Sequence, residues 1–162
     1  AELSSACDMR FGDLETFQWN QMEVPLGILP GGGGTQRIPR LIGIGRAMEV
    51  VLGADDVDAE TAERWGFLNR AMSGDSLSAY VDALATRIAS FPPAAVREAK
   101  RAVNASVERS LDEGLKYESY LFQVLLRDVD AQPSMRQYLD AGGQTRDVEL
   151  RIGSVMGELF DT

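Results

Sequence analysis

The chain has 162 residues, 44% of them hydrophobic, and a formal net charge of −9. That is enough apolar material for one sizeable core, and it lacks the basic footprint that nucleic acid or an anionic membrane would require. Histidine is absent and Cys7 is the only cysteine, which removes the commonest general base and metal ligand and leaves neither a disulfide framework nor a zinc cluster.

In chain order, Leu3, Ala6 and Cys7 suit the end of a short helix, with Cys7 read as a small buried hydrophobe. Asp8 to Phe11 reads as a strand, Gly12-Asp13 as a turn and Thr16 to Trp19 as a second short strand. Glu23 precedes Val24-Pro25-Leu26-Gly27-Ile28-Leu29-Pro30, and four glycines follow, Gly31 to Gly34. This cluster is either a tight turn or an amide cradle for something anionic at a helix start. It is not a P-loop, because no Lys followed by Ser or Thr comes after it, and it is not a Gly-x-Gly-x-x-Gly fingerprint.

Gln36 to Ile42 and Gly45 to Leu52 are expected helices on either side of a break at Gly43. Asp58 is expected to cap a helix over Ala59 to Trp65, with Gly66 ending it in the left-handed conformation and Phe67 to Met72 extended beyond it. Asp55, Asp56, Asp58 and Glu60 imitate a calcium loop, but Thr61 and Phe67 stand where such a loop needs Gly and Glu.

Beyond Ser73 the pattern becomes helical. Leu77, Tyr80, Val81, Leu84, Ile88 and Phe91 share one helical face, and Pro92-Pro93 stops the helix. Ala95, Val96, Ala99 and Val103 form the apolar face of the next helix, with Arg97, Lys100 and Arg101 outside. The helix from about Leu111 to Arg127 is apolar nearly all round over Tyr120 to Leu126, which points to a subunit contact. Ser134 to Ala141 and Arg146 to Phe160 are the last expected helices, separated by Gly142-Gly143. No apolar run reaches membrane-spanning length and no signal segment opens the chain, so a soluble cytoplasmic protein is expected, without a membrane or nucleic-acid partner.

Without histidine, proton transfer falls to carboxylates. Glu2 and Glu23 both stand beside apolar runs, and a strand-turn-strand path can bring them together. Two carboxyls at one site divide into a charged base and a protonated acid, and their protons belong to the pair.

These residues resemble the crotonase, or enoyl-CoA hydratase-isomerase, superfamily. The resemblance rests on Glu2-Leu3 with Cys7-Asp8, on Glu23 with Leu26-Gly27-Ile28, and on Pro30-Gly31 with Gly33-Gly34-Thr35-Gln36-Arg37. It continues through Arg40, Gly43, Gly45, Arg46-Ala47-Met48-Glu49, Gly53, Ala62, Trp65-Gly66 and Asn69, and covers residues 1 to about 128. It implies an α/β fold: residues 1–74 form the later part of a ββα spiral carrying both glutamates, and residues 75–162 a C-terminal helical region used for trimerisation.

The implied activity is hydration of a 2-enoyl-CoA thioester, as in fatty acid β-oxidation, with Glu2 activating water, Glu23 protonating the α-carbon and the amide of Gly31 helping to place the water or the carboxylates. No cofactor and no metal is implied, coenzyme A being part of the substrate, and the implied assembly is a homotrimer or hexamer. Other reactions of the family are the alternatives: enoyl-CoA isomerisation, acyl-CoA cleavage or thioester hydrolysis. A non-catalytic assembly subunit is a further one. The family's two oxyanion-binding amides and much of its CoA pocket precede the position of Ala1, so the resemblance also implies a missing N-terminal half as a partner. Two departures stand out. Gln132 to Thr162 lacks the family's basic ending, with Arg136, Arg146 and Arg151 scattered instead, and the Asp13 to Glu23 spacer is one residue longer than usual.

Overall fold

The computed structural model describes residues 1–160, so the end of the predicted C-terminal region, residues 161–162, lies outside the described residues. The chain divides into two compact units, Ala1–Asp82 and the remainder from Ala83 onward.

In the first unit, short elements wrap one apolar interior. Helix α1 (Glu2–Ser5) leads to β1 (Phe11–Asp13), β2 (Gln18–Trp19) and a single 3-10 turn (Val24–Leu26). Helices α2 (Gly34–Ile42) and α3 (Ile44–Gly53), strand β3 (Val57–Asp58), helix α4 (Ala59–Trp65) and strand β4 (Arg70–Met72) complete it, and α5 (Gly74–Ser90) begins there. Strand β1 pairs with β4 in parallel, Phe11 opposite Arg70, and β2 pairs with β3 antiparallel, Trp19 opposite Val57.

The core gathers Trp19, Ile38, Ile42, Ala47, Val50, Val57, Ala59, Ala62, Phe67 and Leu68. Trp19 stacks on Phe67 with ring centroids 3.9 Å apart, so one residue from each of two distant segments fixes the two strand pairs to a common interior. Helix α4 begins as expected, the Thr61 amide donating to Asp58 Oδ1 at 2.7 Å, and ends at Gly66 with φ +86°.

Strand β1 lies later than the sequence suggests, since Gly12 and Asp13 are strand residues. A Cβ on Gly12 would meet Leu68 Cδ1 at 2.6 Å, so this glycine permits a close approach rather than a turn. The turn follows it, with Asp13 Oδ1 accepting from the amides of Glu15 and Thr16 and from the Thr16 hydroxyl. These bonds, the Thr16 hydroxyl first, hold the Asp13 carboxyl below its ordinary pKa.

The second unit is helical, with α6 (Pro93–Ala105), α7 (Leu111–Leu125), α8 (Ala131–Asp140), α9 (Arg146–Glu149) and α10 (Ile152–Phe160). The reading of Arg146 to Phe160 as one helix is corrected by a turn at Leu150-Arg151 that divides it. Helix α7 opens with a capping box: Ser110 Oγ accepts from the Glu113 amide and the Glu113 carboxylate accepts from the Ser110 amide.

The inner face of α6 is rotated from its expected position. Val103 is 70% exposed, whereas Glu98 is buried. Its carboxylate is held by Arg97 Nε at 2.9 Å and Arg101 Nη1 at 2.8 Å, and the hydrogen bond from Arg97 is the main cause of its lowered pKa. Neutralisation within the same helix lets a charge occupy the inner face. Cys7, expected to be buried, is exposed. No helix among the described residues is long and apolar enough to cross a membrane.

Candidate active site

Pro30 is buried and closes the apolar run, and Gly31 to Gly33 form the turn that feeds α2. Gly33 has φ +105°, a conformation that a side chain resists. The Gly34 amide is one of the helix-start donors that have no partner within the helix. Both the Gly32 amide, at 2.6 Å, and the Gly34 amide, at 3.2 Å, donate to Oε1 of Glu2. The glycine cluster is therefore a tight turn and an anion cradle at once, and the anion it holds is a side chain of the same protein.

Glu2 is half-buried in α1. Arg10 ties the segment after α1 to the far end of the unit: its Nη1 donates to the Cys7 carbonyl at 2.7 Å and its Nε to the Phe67 carbonyl at 2.6 Å. Its backbone amide also donates to Asn69 Oδ1. Burial lowers the Arg10 pKa, an effect partly opposed by Cys7 and Asp8, and the guanidinium stays charged at neutral pH. Both amide bonds to Glu2 fall on Oε1, so Oε2 keeps its lone pairs for a proton or a water.

Glu23 stands at the N-cap position of the 3-10 turn, its carboxylate making no capping bond, and is half-buried. Its neighbour is Gln21, which is 1% exposed and whose Nε2 lies 3.5 Å from Glu23 Oε2, at the outer limit of a hydrogen bond. Gln21 Oε1 is buried and accepts no hydrogen bond from the described residues. A Cβ on Gly34 would stand 2.5 Å from Gln21 Nε2, so the residue whose amide holds Glu2 also supplies the space in which the Gln21 side chain lies. Glu23, Gln21, Gly34 and Glu2 thus form one continuous series of neighbours. Gly31 opens the turn, exposed, one residue before the first amide that reaches Glu2.

Sequence reasoning missed the parts played by four residues, Gln21, Arg37, Gly32 and Gly34. Gln21 could have been found from its spacing, since residues two apart in an extended segment share a side. Arg37, whose Nη1 donates to the Gly32 carbonyl at 2.9 Å, carried no local signal, nor did the choice of Gly32 and Gly34 among four identical residues. Among the described residues no group of three or more His, Cys, Asp or Glu is placed to hold a metal ion.

Comparison with known proteins gives a consistent picture. A family model described as enoyl-CoA hydratase/isomerase matches residues 1–145. The chain is 39% identical over 139 residues to a probable enoyl-CoA hydratase of Mycobacterium tuberculosis, covering 86% of this chain and 54% of that protein. It is 35% identical over 139 residues to a crotonyl-CoA hydratase of Syntrophomonas wolfei, covering 86% and 53% respectively. Among solved structures, an enoyl-CoA hydratase subunit from Geobacillus kaustophilus superposes with a TM-score of 0.82 at 35% identity, over 90% of this chain and 56% of that one. The chain spans about half the length of these relatives.

Proposed function

The chain belongs to the enoyl-CoA hydratase/isomerase family and has its α/β crotonase fold, and from that premise we propose that the complete domain hydrates a 2-enoyl-CoA thioester with Glu2 and Glu23 as base and acid. The observation that carries this reading is the binding of Glu2 Oε1 by the amides of Gly32 and Gly34, with Glu23 reached along the same series of neighbours through Gln21.

In the proposed step Glu2 takes a proton from a water whose oxygen bonds to the β-carbon. The π electron pair moves onto the α-carbon and the thioester oxygen, and Glu23 delivers its proton to the α-carbon. The charge that develops on the enolate-like oxygen is of the kind that backbone amides stabilise. Gly31, at the mouth of the turn, is assigned to placing the water. The exposed Tyr120 and Phe122 on α7 support a homotrimer or hexamer as the working assembly.

The test follows crotonyl-CoA with the complete protein, reading the loss of the conjugated enoyl absorbance. Glu2→Gln and Glu23→Gln are each expected to lower kcat by roughly 10²- to 10⁴-fold with CoA binding retained. An inert wild type that still binds CoA would remove hydration in favour of a non-catalytic subunit or another reaction of the family. Unchanged rates in the single variants would remove the assigned acid and base.

A further inference from the structure

We propose that Arg37 is a positioning residue for Glu2, acting through the glycine turn; this rests on the hydratase reading above. Gly32, Gly33 and Gly34 are three successive residues without side chains, the backbone with the widest conformational choice. The amides that hold Glu2 lie within it, so the carboxylate is only as well placed as the turn.

One side chain fixes that turn from outside. Arg37 Nη1 donates to the Gly32 carbonyl at 2.9 Å, while the amide of the same Gly32 donates to Glu2 Oε1 at 2.6 Å. The guanidinium lies against Gly33, where a Cβ would be 1.9 Å from Nη1 and 3.0 Å from Cζ. The absence of a side chain at Gly33 is thus what admits Arg37, and the backbone amide of Arg37 donates to the Gly33 carbonyl at 2.9 Å. Two successive carbonyls of the turn are held by one residue, the outer one by a charge-assisted bond, which is roughly twice as strong as a neutral one. With its carbonyls fixed, the turn directs the Gly32 and Gly34 amides at a single point, and Glu2 Oε1 occupies it. Arg37 touches no reacting atom in this scheme. Its effect reaches the chemistry through the bearing of Glu2.

Arg40 provides the control. It lies one turn further along α2 and makes the same kind of bond, Nη1 to the Gln36 carbonyl at 2.6 Å, away from the glycines. In the intact protein labelled with 15N-glycine, Arg37→Ala is expected to move the Gly32 amide resonance toward its position in Glu2→Gln. On crotonyl-CoA the same variant is expected to lose roughly 10- to 100-fold in kcat with KM within about threefold, the pattern of a displaced catalytic group rather than a lost binding contact. Arg37→Lys, which keeps the charge but not the planar fork, is expected to fall between the two, millimolar guanidinium to restore part of the Arg37→Ala rate, and Arg40→Ala to match wild type in both readouts.

An unmoved Gly32 resonance in Arg37→Ala overturns the proposal, as does a moved resonance with an unchanged kcat. If Arg37→Ala does not fold, Arg37→Lys carries the same two readouts. The resonance is read without turnover, so an inert wild type would overturn hydration while leaving the Arg37 bond separately testable.

Discussion

The two units manage their apolar residues in opposite ways. In the first, ten residues from six segments close on one another, and the large apolar side chains left outside include Leu26, Ile28 and Leu29, in the stretch between Glu23 and the glycine turn. In the second, the buried apolar residues among those described are Ala105, Leu121, Val148 and Val155, while Val103, Val107, Leu111, Leu115, Tyr120 and Phe122 are exposed along α6, α7 and the turn between them. The first unit therefore has a closed interior, and its uncovered apolar surface lies next to the proposed site. The second presents its apolar surface along whole helices, the arrangement expected of an assembly surface.

If the first unit exists to hold the carboxylates, disturbing the turn must affect chemistry before it affects the fold. Gly32→Ala is the strongest test. Its Cβ would stand 2.3 Å from Glu2 Oε2, the free end of a flexible side chain, so the carboxylate yields and the fold does not. Loss of about 100-fold in kcat is expected with an unchanged Tm. Gly34→Ala makes the instructive contrast, because its Cβ would meet the buried Gln21 amide at 2.5 Å and Pro30 Cβ at 2.7 Å, and it should cost stability as well.

A pair of phenylalanines sharpens the comparison between units. Phe67 is 1% exposed and stacked on Trp19, whereas Phe122 is more than half exposed. Phe67→Ala should cost about 3–5 kcal/mol in a denaturant titration. Phe122→Ala should leave the stability of the dissociated chain within about 0.5 kcal/mol and instead weaken self-association in sedimentation velocity. Equal destabilisation by the two would mean that the second unit buries Phe122 in its own interior, and the contrast drawn above would fail.

What the sequence revealed was what depends on near neighbours. The Asp58 cap and the Gly66 stop lie within a few residues of the bonds they make, so their residue types suffice to place α4. Gly12 could not be read in this way, because the reason for a glycine there is Leu68, on a segment 56 residues away. The inner face of α6 was misplaced because hydrophobic periodicity has no term for a carboxylate neutralised by Arg97 and Arg101 on its own helix. Of the proposed site, the sequence offers Glu2 and Glu23 only as carboxylates beside apolar runs. The parts that hold Glu2 were not legible: identical glycines give no sign of which amide is used, and the reach of Arg37 back to Gly32 is a property of the folded turn.

The smallest effect expected concerns the locally determined α4, and it can be isolated by pH. Asp58 Oδ1 accepts from the Thr61 amide, and this backbone bond is the main cause that lowers the Asp58 pKa below its ordinary value near 4. A depressed carboxyl stabilises the fold only where it is ionised: the contribution is complete above the unfolded-state value and is lost as pH falls through the folded-state value. Asn at the same position still accepts the bond but does not titrate. Asp58→Asn should therefore lower Tm slightly near neutral pH, and the gap to wild type should narrow below about pH 4 and close under more acidic conditions. Asp58→Ala removes the acceptor itself, so its deficit should persist across the whole range. A gap that widens on acidification would mean that the neutral acid is the better cap. The short-range logic by which α4 was placed would then be wrong, even though the helix lies where that logic put it.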